Sequence, residues 1–408
     1  MERIELIPRF ERQGYEDDQV AARRTWLEAK TGVALPLVGA ASAAGGRWRG
    51  NIENPIGAAQ VPIGIAGPLR VLGEHAEGEV FVPLATTEGA LVRSYERGMI
   101  AITRSGGATV RLFRDENRVT PVFVCRNGAA AVALARELPG RLAELQAAVA
   151  TTTRHGQLLR VEAMPSGRRV LAAFCYSTGD AHGMNMIVKA TDAACQVVLA
   201  ADRAGGDPVI ERHLIFSGAC GEKRAAGALL AGGKGKHVTA SVVLPRRVLR
   251  AVLRVTAGQM EELWRLTVLG HLHTAAMGYN GHAANALAAL FIACGQDVAN
   301  IVNSAVSITA FEEVGEGDLA ASVELPALTV ATVGGGTGVG TGRECLELLG
   351  CYGTGKAKRL AEIVAATVLA GEISLGAAIA SGEFVAAHEE YGRNRPDDGP
   401  NEPQGGQG

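Results

Sequence analysis

From Ile363 to Ala387 the chain is almost free of charge, interrupted only by Glu372 and Glu383. A segment of this kind must be hidden from water, in a membrane or inside a protein core, and it limits the fold more than any other stretch. A membrane span needs about 20 consecutive apolar residues with few or no charges, and Glu372 divides the run. The pattern predicts two helices, over 356–370 and 372–387, in a soluble protein without membrane contact. Met1-Glu2-Arg3-Ile4-Glu5 offers no apolar signal core, so a cytoplasmic location is expected.

Charge and cysteine content narrow the function classes. Forty basic and 42 acidic side chains leave a formal net charge of -2, which gives no reason to expect nucleic acid or a membrane surface as a partner. The 7 cysteines are an odd number and form no CxxC pair, as in a reducing compartment. The 53 glycines lie inside otherwise apolar segments and predict tight turns and close backbone approaches.

Residues 1–50 read as a polar helical segment. Asn54-Pro55-Ile56-Gly57 then opens a stretch punctuated by Pro62, Gly64, Gly67 and Pro68. Val80 to Pro83 reads as a strand. Leu91, Val92, Tyr95, Met99 and Ile102 recur at helical spacing until Gly106-Gly107. The pattern changes over 120–213: a strand at 121–125, a helix over 129–150, a hairpin around Pro165-Ser166-Gly167 and a helix over 186–203. That order predicts a small α+β insert between the two parts of a large domain, 51–119 and 214–393. In the second part, a helix follows Pro245 and another runs through 284–301 with Asp297 on it. A strand at 328–330 then leads into Gly334-Gly335-Gly336. The stretch 394–408, rich in Pro, Gly and Asp, is expected to be a disordered tail.

Four acid–base residues stand in separate Gly- and Ala-rich islands: Glu88, Lys223, Asp297 and His388. Each has an ordinary reading. Glu88 suits a first helical turn and His388 a helix end, Lys223 a solvated loop, and Asp297 a helix edge. Together they supply a cation for an oxyanion, two carboxylates to pass protons and an imidazole for a leaving thiolate, the set that reduces a thioester. Thr178 to Met186 precedes a helix whose first amides suit a phosphate or, equally, an ordinary capped turn. Gly334-Gly335-Gly336-Thr337-Gly338 lacks a complete GxGxxG, so a doubly wound dinucleotide domain is not expected. His271 and His273 have no nearby ligand set, and no metal site is expected.

In this order, the segments resemble class I 3-hydroxy-3-methylglutaryl-CoA (HMG-CoA) reductases. The matching stretches are Glu53 to Gly57, Val61 to Leu69, Ala85 to Gly89, Thr178 to Met186, Gly278 to Asn285, Ile292 to Asp297 and Thr332 to Thr337. The resemblance implies an α+β fold, in which a large mixed domain with a central helix carries an inserted, small ferredoxin-like NADP-binding domain at 120–213. It implies a homodimer at minimum, possibly a tetramer, with active sites between subunits. It also implies a four-electron reduction of HMG-CoA, or of a related acyl-CoA, by NADPH. Lys223 then serves the oxyanion, Glu88 and Asp297 the protons and His388 the thiolate. Cofactor contacts fall on Arg154, Asp180, His182, Gly183, Met184, Asn185, Gly334, Gly335, Gly336 and Arg393. Substrate contacts fall on Ser94, Arg97, Arg118, Ser217, Glu222, Arg224, Arg254, Arg265, His282 and Asn285. The chain departs from the family around the acyl carboxylate: Glu222 and Arg224 flank Lys223 in place of Asp and Lys, and Val119 stands where an arginine is usual. A same-fold reductase of another acyl thioester and a non-catalytic acyl-CoA binding protein are the alternative readings.

Overall fold

The computed structural model describes residues 8, 10, 16–40 and 48–382. His388, Arg393 and the tail at 394–408 lie outside them. Eight main helices are α1 (Asp17–Thr31), α2 (Leu91–Arg104), α3 (Gly128–Glu137), α4 (Leu142–Ala150), α5 (Met184–Ala204), α6 (Ala257–His273), α7 (Ala283–Ala293) and α8 (Gly340–Leu348), followed by the central α9 (Ala357–Ala380). The strands are β1 (Ile63–Leu72), β2 (Glu77–Ala85), β3 (Ala108–Val119), β4 (Val122–Cys125), β5 (Gln157–Ser166), β6 (Arg169–Ser177), β7 (Ile210–Leu214), β8 (Gly235–Leu244), β9 (Ile308–Val314) and β10 (Asp318–Leu328).

Helix α9 is one continuous helix, not the two predicted, and it is buried along almost its whole length. It is long and apolar enough to cross a membrane, yet most of its apolar stretch is buried inside the protein. Gly371-Glu372 does not break it, because both residues serve the core. The Glu372 carboxylate accepts the amides of Gly281 (2.7 Å) and His282 (2.8 Å) and the Thr309 hydroxyl (2.8 Å). A Cβ on Gly371 would fall 2.3 Å from the Tyr95 ring of α2, so only glycine lets the two helices come this close. About three turns earlier, Glu362 accepts the amides of Glu74, His75 and Ala76 and fixes the β1–β2 turn. A buried carboxylate is tolerated when its lone pairs are filled in this way.

The strands form one mixed sheet in the order β7-β4-β6-β3-β8-β10-β9, with β1 beside β3, β2 beside β1 and β5 beside β6. The β1–β3 pair is parallel and its neighbours are antiparallel. Strand β3 links two cores. Its Thr109–Glu116 stretch pairs with β8 in the large core around α9, and Asn117–Val119 pair with β6. A second apolar cluster lies between β4–β7 and α3, α4 and α5. The predicted hairpin is present, with Gly167 at φ 57° in its turn. Two further helical expectations are corrected. The 129–150 helix is interrupted between Glu137 and Leu142, where Pro139 and Gly140 occur. The helix expected through 301 ends at Ala293, because Gly295 turns left-handed at φ 61°. Asp297 therefore stands on a loop, where its carboxylate caps the short turn that follows.

Candidate active site

Lys223 sits on the loop between β7 and β8 with φ 53°, a left-handed conformation that side chains other than glycine seldom adopt. Its amide donates to Asn303 Oδ1 at 3.2 Å. Asn303 is fully buried and donates in turn to the Ala327 carbonyl (2.9 Å) and Thr329 Oγ1 (3.0 Å). The strained residue is thus clamped from the core. Its Nζ lies 2.8 Å from Asp297 Oδ2, both side chains being 45% exposed. A pair this exposed adds only about 0–1 kcal/mol to stability. Strain held in place for so little stability points to function.

Asp297 is positioned by a backbone contact. A Cβ on Gly295 would lie 2.4 Å from the Gly336 carbonyl oxygen, and one on Gly336 would lie 2.6 Å from that of Gly295. Gln296 Oε1 also accepts the Ala331 amide at 2.8 Å. The Asp297 loop and the glycine loop are therefore locked together. The turn before α5 joins them, since the Asp180 carbonyl accepts the Thr332 amide at 2.9 Å. The Asp180 carboxylate is engaged elsewhere: it accepts the amides of Gly355 (2.7 Å) and Ala357 (3.0 Å) at the start of α9. Burial alone would raise its pKa, but these amides hold it below the usual carboxylate range. Gly183 caps α5 with φ 73°, and open space lies where a Cβ would stand on Gly179, Gly334 or Gly335.

A second cluster lies at the other end of α7. Glu88 accepts from Asn285 Nδ2 at 3.2 and 3.4 Å. The His282 ring stacks on Tyr95 at 5.3 Å, and its backbone is held by Glu372. Arg97 donates to Ser374 Oγ (3.1 Å) and the Ser374 carbonyl (2.7 Å), and Ser94 shares that hydroxyl. The 11 residues of α7 rise about 16 Å. One chain therefore pairs Lys223 with Asp297 at one end of α7 and Glu88 with Asn285 at the other.

The comparisons to known proteins concern the chain as a whole. The family model described as hydroxymethylglutaryl-coenzyme A reductase matches residues 19–393. The chain belongs to that family. The 3-hydroxy-3-methylglutaryl-coenzyme A reductase of Methanothermobacter thermautotrophicus is 42% identical over 394 residues, covering 96% of this chain and 97% of the relative. That of Methanocaldococcus jannaschii is 43% identical over 346 residues, covering 84% and 85%. Among solved structures, the class II reductase of Streptococcus pneumoniae bound to NADPH superposes with a TM-score of 0.66 at 19% identity, covering 88% of this chain and 96% of that one. A second structure of that organism's reductase gives 0.65.

The structural matches correct the expectation of a class I reductase, because the match that carries a class label is class II. The motifs behind that expectation fall within the stretch that the family model matches, and they identify the family without separating its branches.

The other predicted residues are spread around the first cluster and beyond it. Ser217 Oγ donates to the Thr120 carbonyl (2.6 Å), Arg118 Nε to that of Cys220 (3.4 Å) and Arg224 to that of Gly218 (2.9 Å). The Arg224 guanidinium also lies over the Phe216 ring. Arg265 is exposed and paired with Glu261 one turn back on α6. Arg254 takes φ 59° and is exposed, as is Arg154 between α4 and β5. Glu222 faces His182 and Lys234. Burial would raise the Glu222 carboxyl, but these two neighbours outweigh it and bring it down to about 2, so it is ionised throughout the neutral range. Sequence reasoning missed Lys234, Asn117, Asn303, Glu372 and Ser374. Two left a trace: Lys234 stands between glycines in Gly233-Lys234-Gly235, and Glu372 is a charge in an apolar run.

Proposed function

We propose that the chain reduces HMG-CoA with two NADPH and two protons, yielding mevalonate, free CoA and two NADP+. The observation that carries this reading is the Lys223–Asp297 pair, held on a strained loop beside the glycine loop and the α5 turn. The Lys223 ammonium stabilises the negative charge that develops on the carbonyl oxygen as the thioester, and then the aldehyde, is reduced. One such donor lowers a barrier by roughly 3 kcal/mol. Asp297 holds the ammonium in place, and Glu88 delivers protons to the oxygen. His388, outside the described residues, is assigned the proton for the thiolate.

The cofactor site fits the α5 turn and the glycine loop. The open space above Gly179, Gly334 and Gly335, and the first amides of a 21-residue helix, suit a dinucleotide's phosphates. His182 Nε2 is buried there and faces Glu222 Oε1 at 3.6 Å, beyond hydrogen-bond distance. When bound, NADPH supplies the hydride. Gly183, Met184 and Asn185 are assigned to hold it, with Arg154 and Arg393 for its adenosine phosphate. The strand order β5-β6-β4-β7, with helices after β4 and β6, supports a ferredoxin-like cofactor domain at 120–213, set into a large domain formed by 51–119 and 214–393. A cytoplasmic location is supported by 7 cysteines, all free and buried.

A homodimer is proposed because Glu88 and Lys223 lie at opposite ends of α7, so that a second copy is needed to complete each site. Leu266, Leu269 and Leu272 form an exposed apolar row on α6 beside Arg265, consistent with a covered face. The reading is tested by following NADPH oxidation and thiol release with HMG-CoA. Two NADPH consumed per thiol is the expected result. No turnover, or a strong preference for another acyl thioester in the same assay, would overturn it.

A further inference from the structure

Lys234 is completely buried. An ammonium in a core is costly unless its donors are filled, and its neighbours come from different parts of the fold. Its Nζ pairs with Glu222 Oε2 on the Lys223 loop, donates to Asn117 Oδ1 at the end of β3 (2.7 Å), and lies 3.2 Å from the sulfur of Met184, the first residue of α5. Asn117 Nδ2 donates to the His182 carbonyl at 3.0 Å, and the His182 ring faces the other oxygen of Glu222 at 3.6 Å. The contacts close a ring: Glu222, Lys234, Asn117, His182 and back to Glu222.

The surrounding charges do not compete for Lys234. Glu116 is taken by Arg160 and Arg114, and Arg118 donates to the Cys220 carbonyl. The backbone of Lys234 is also fixed. Gly233 and Gly235 take φ 88° and 76°, and a Cβ on Gly235 would lie 2.4 Å from the Leu328 carbonyl oxygen. A rigid cation thus stands between the loop that presents Lys223 and the turn assigned to the cofactor.

Resting on the reductase reading above, we propose that Lys234 is a positioning residue for hydride transfer. Through Glu222 and Asn117 it sets the spacing between Lys223 and the cofactor turn. Displacements of about 1 Å in such a site cost on the order of 100-fold in rate.

The test compares wild type, Lys234→Met and the double variant Lys234→Met/Glu222→Gln, using HMG-CoA with NADPH and with NADPH deuterated at the transferred position. Wild-type turnover in this assay checks the reductase reading separately. For Lys234→Met, kcat is expected to fall roughly 10- to 100-fold, with KM for HMG-CoA nearly unchanged and a larger deuterium effect on kcat. A purely structural lysine would lower the melting temperature and leave the isotope effect of the folded enzyme as it was. The double variant removes both charges of the pair and covers the case in which the single variant does not fold. It is expected to lose the same rate as the single variant, because both changes act through one contact. Wild-type kcat and isotope effect in either folded variant would overturn the proposal.

Discussion

Replacing Lys223 by alanine should lower kcat for HMG-CoA by about 100- to 1,000-fold, the usual loss when one donor to a developing oxyanion is removed. The fold should not notice. The side chain is 45% exposed, its ion pair with Asp297 is equally open, and pairs of this kind are worth at most about 1 kcal/mol. NADPH affinity should also hold, since the turn proposed for the cofactor is tied to the Asp297 loop through backbone contacts that do not involve the Lys223 ammonium. Steady-state kinetics, a melting curve and a cofactor titration check the three parts. A Lys223→Ala enzyme with kcat within threefold of wild type would remove this residue from the mechanism.

Glu372→Leu should have the largest effect on stability. Leucine has a similar size and suits the apolar surroundings, but it takes an acceptor away from the amides of Gly281 and His282 and from the Thr309 hydroxyl. Each buried donor left without a partner costs about 1–3 kcal/mol, so the sum reaches roughly 3–9 kcal/mol against a total stability of about 5–15. The variant should unfold at a far lower denaturant concentration or fail to accumulate. Glu372→Gln keeps one acceptor oxygen and should lose much less. Because the lost bonds hold the start of α7, the folded fraction of either variant should also bind HMG-CoA more weakly through His282 and Asn285. Urea denaturation of the pair measures the difference, and equal midpoints would contradict the role assigned to Glu372.

These two residues show what was legible in the sequence. Lys223 and Asp297 were recognised by their motifs, and their pairing is a matter of two loops that each motif spans. Glu372 reads locally as a break between helices, because a charge beside a glycine in an apolar run ordinarily ends or exposes a helix. The amides that accommodate it lie 90 residues away, and no local pattern announces a partner at that distance. At Asp180 the motif points to a cofactor contact, and no local pattern announces that its carboxylate also accepts amides at the start of α9. Lys234 gave only its flanking glycines. Local elements were read well where turn chemistry decides them, as at Gly167 between β5 and β6, and poorly where a distant backbone does, as at Gly295 against Gly336.

The separation of Glu88 from Lys223 along α7 gives the account its central claim, that each active site takes its ammonium from one copy of the chain and its proton-transferring glutamate from another. Lys223→Ala and Glu88→Gln should each be inactive alone. Co-expressed with different affinity tags and purified through both, the mixed dimer contains one site with Lys223 and Glu88 intact and one with neither. It should recover about half of the wild-type activity per dimer. A mixed dimer as inactive as its two parents would mean that each chain builds its site alone, and would contradict the account.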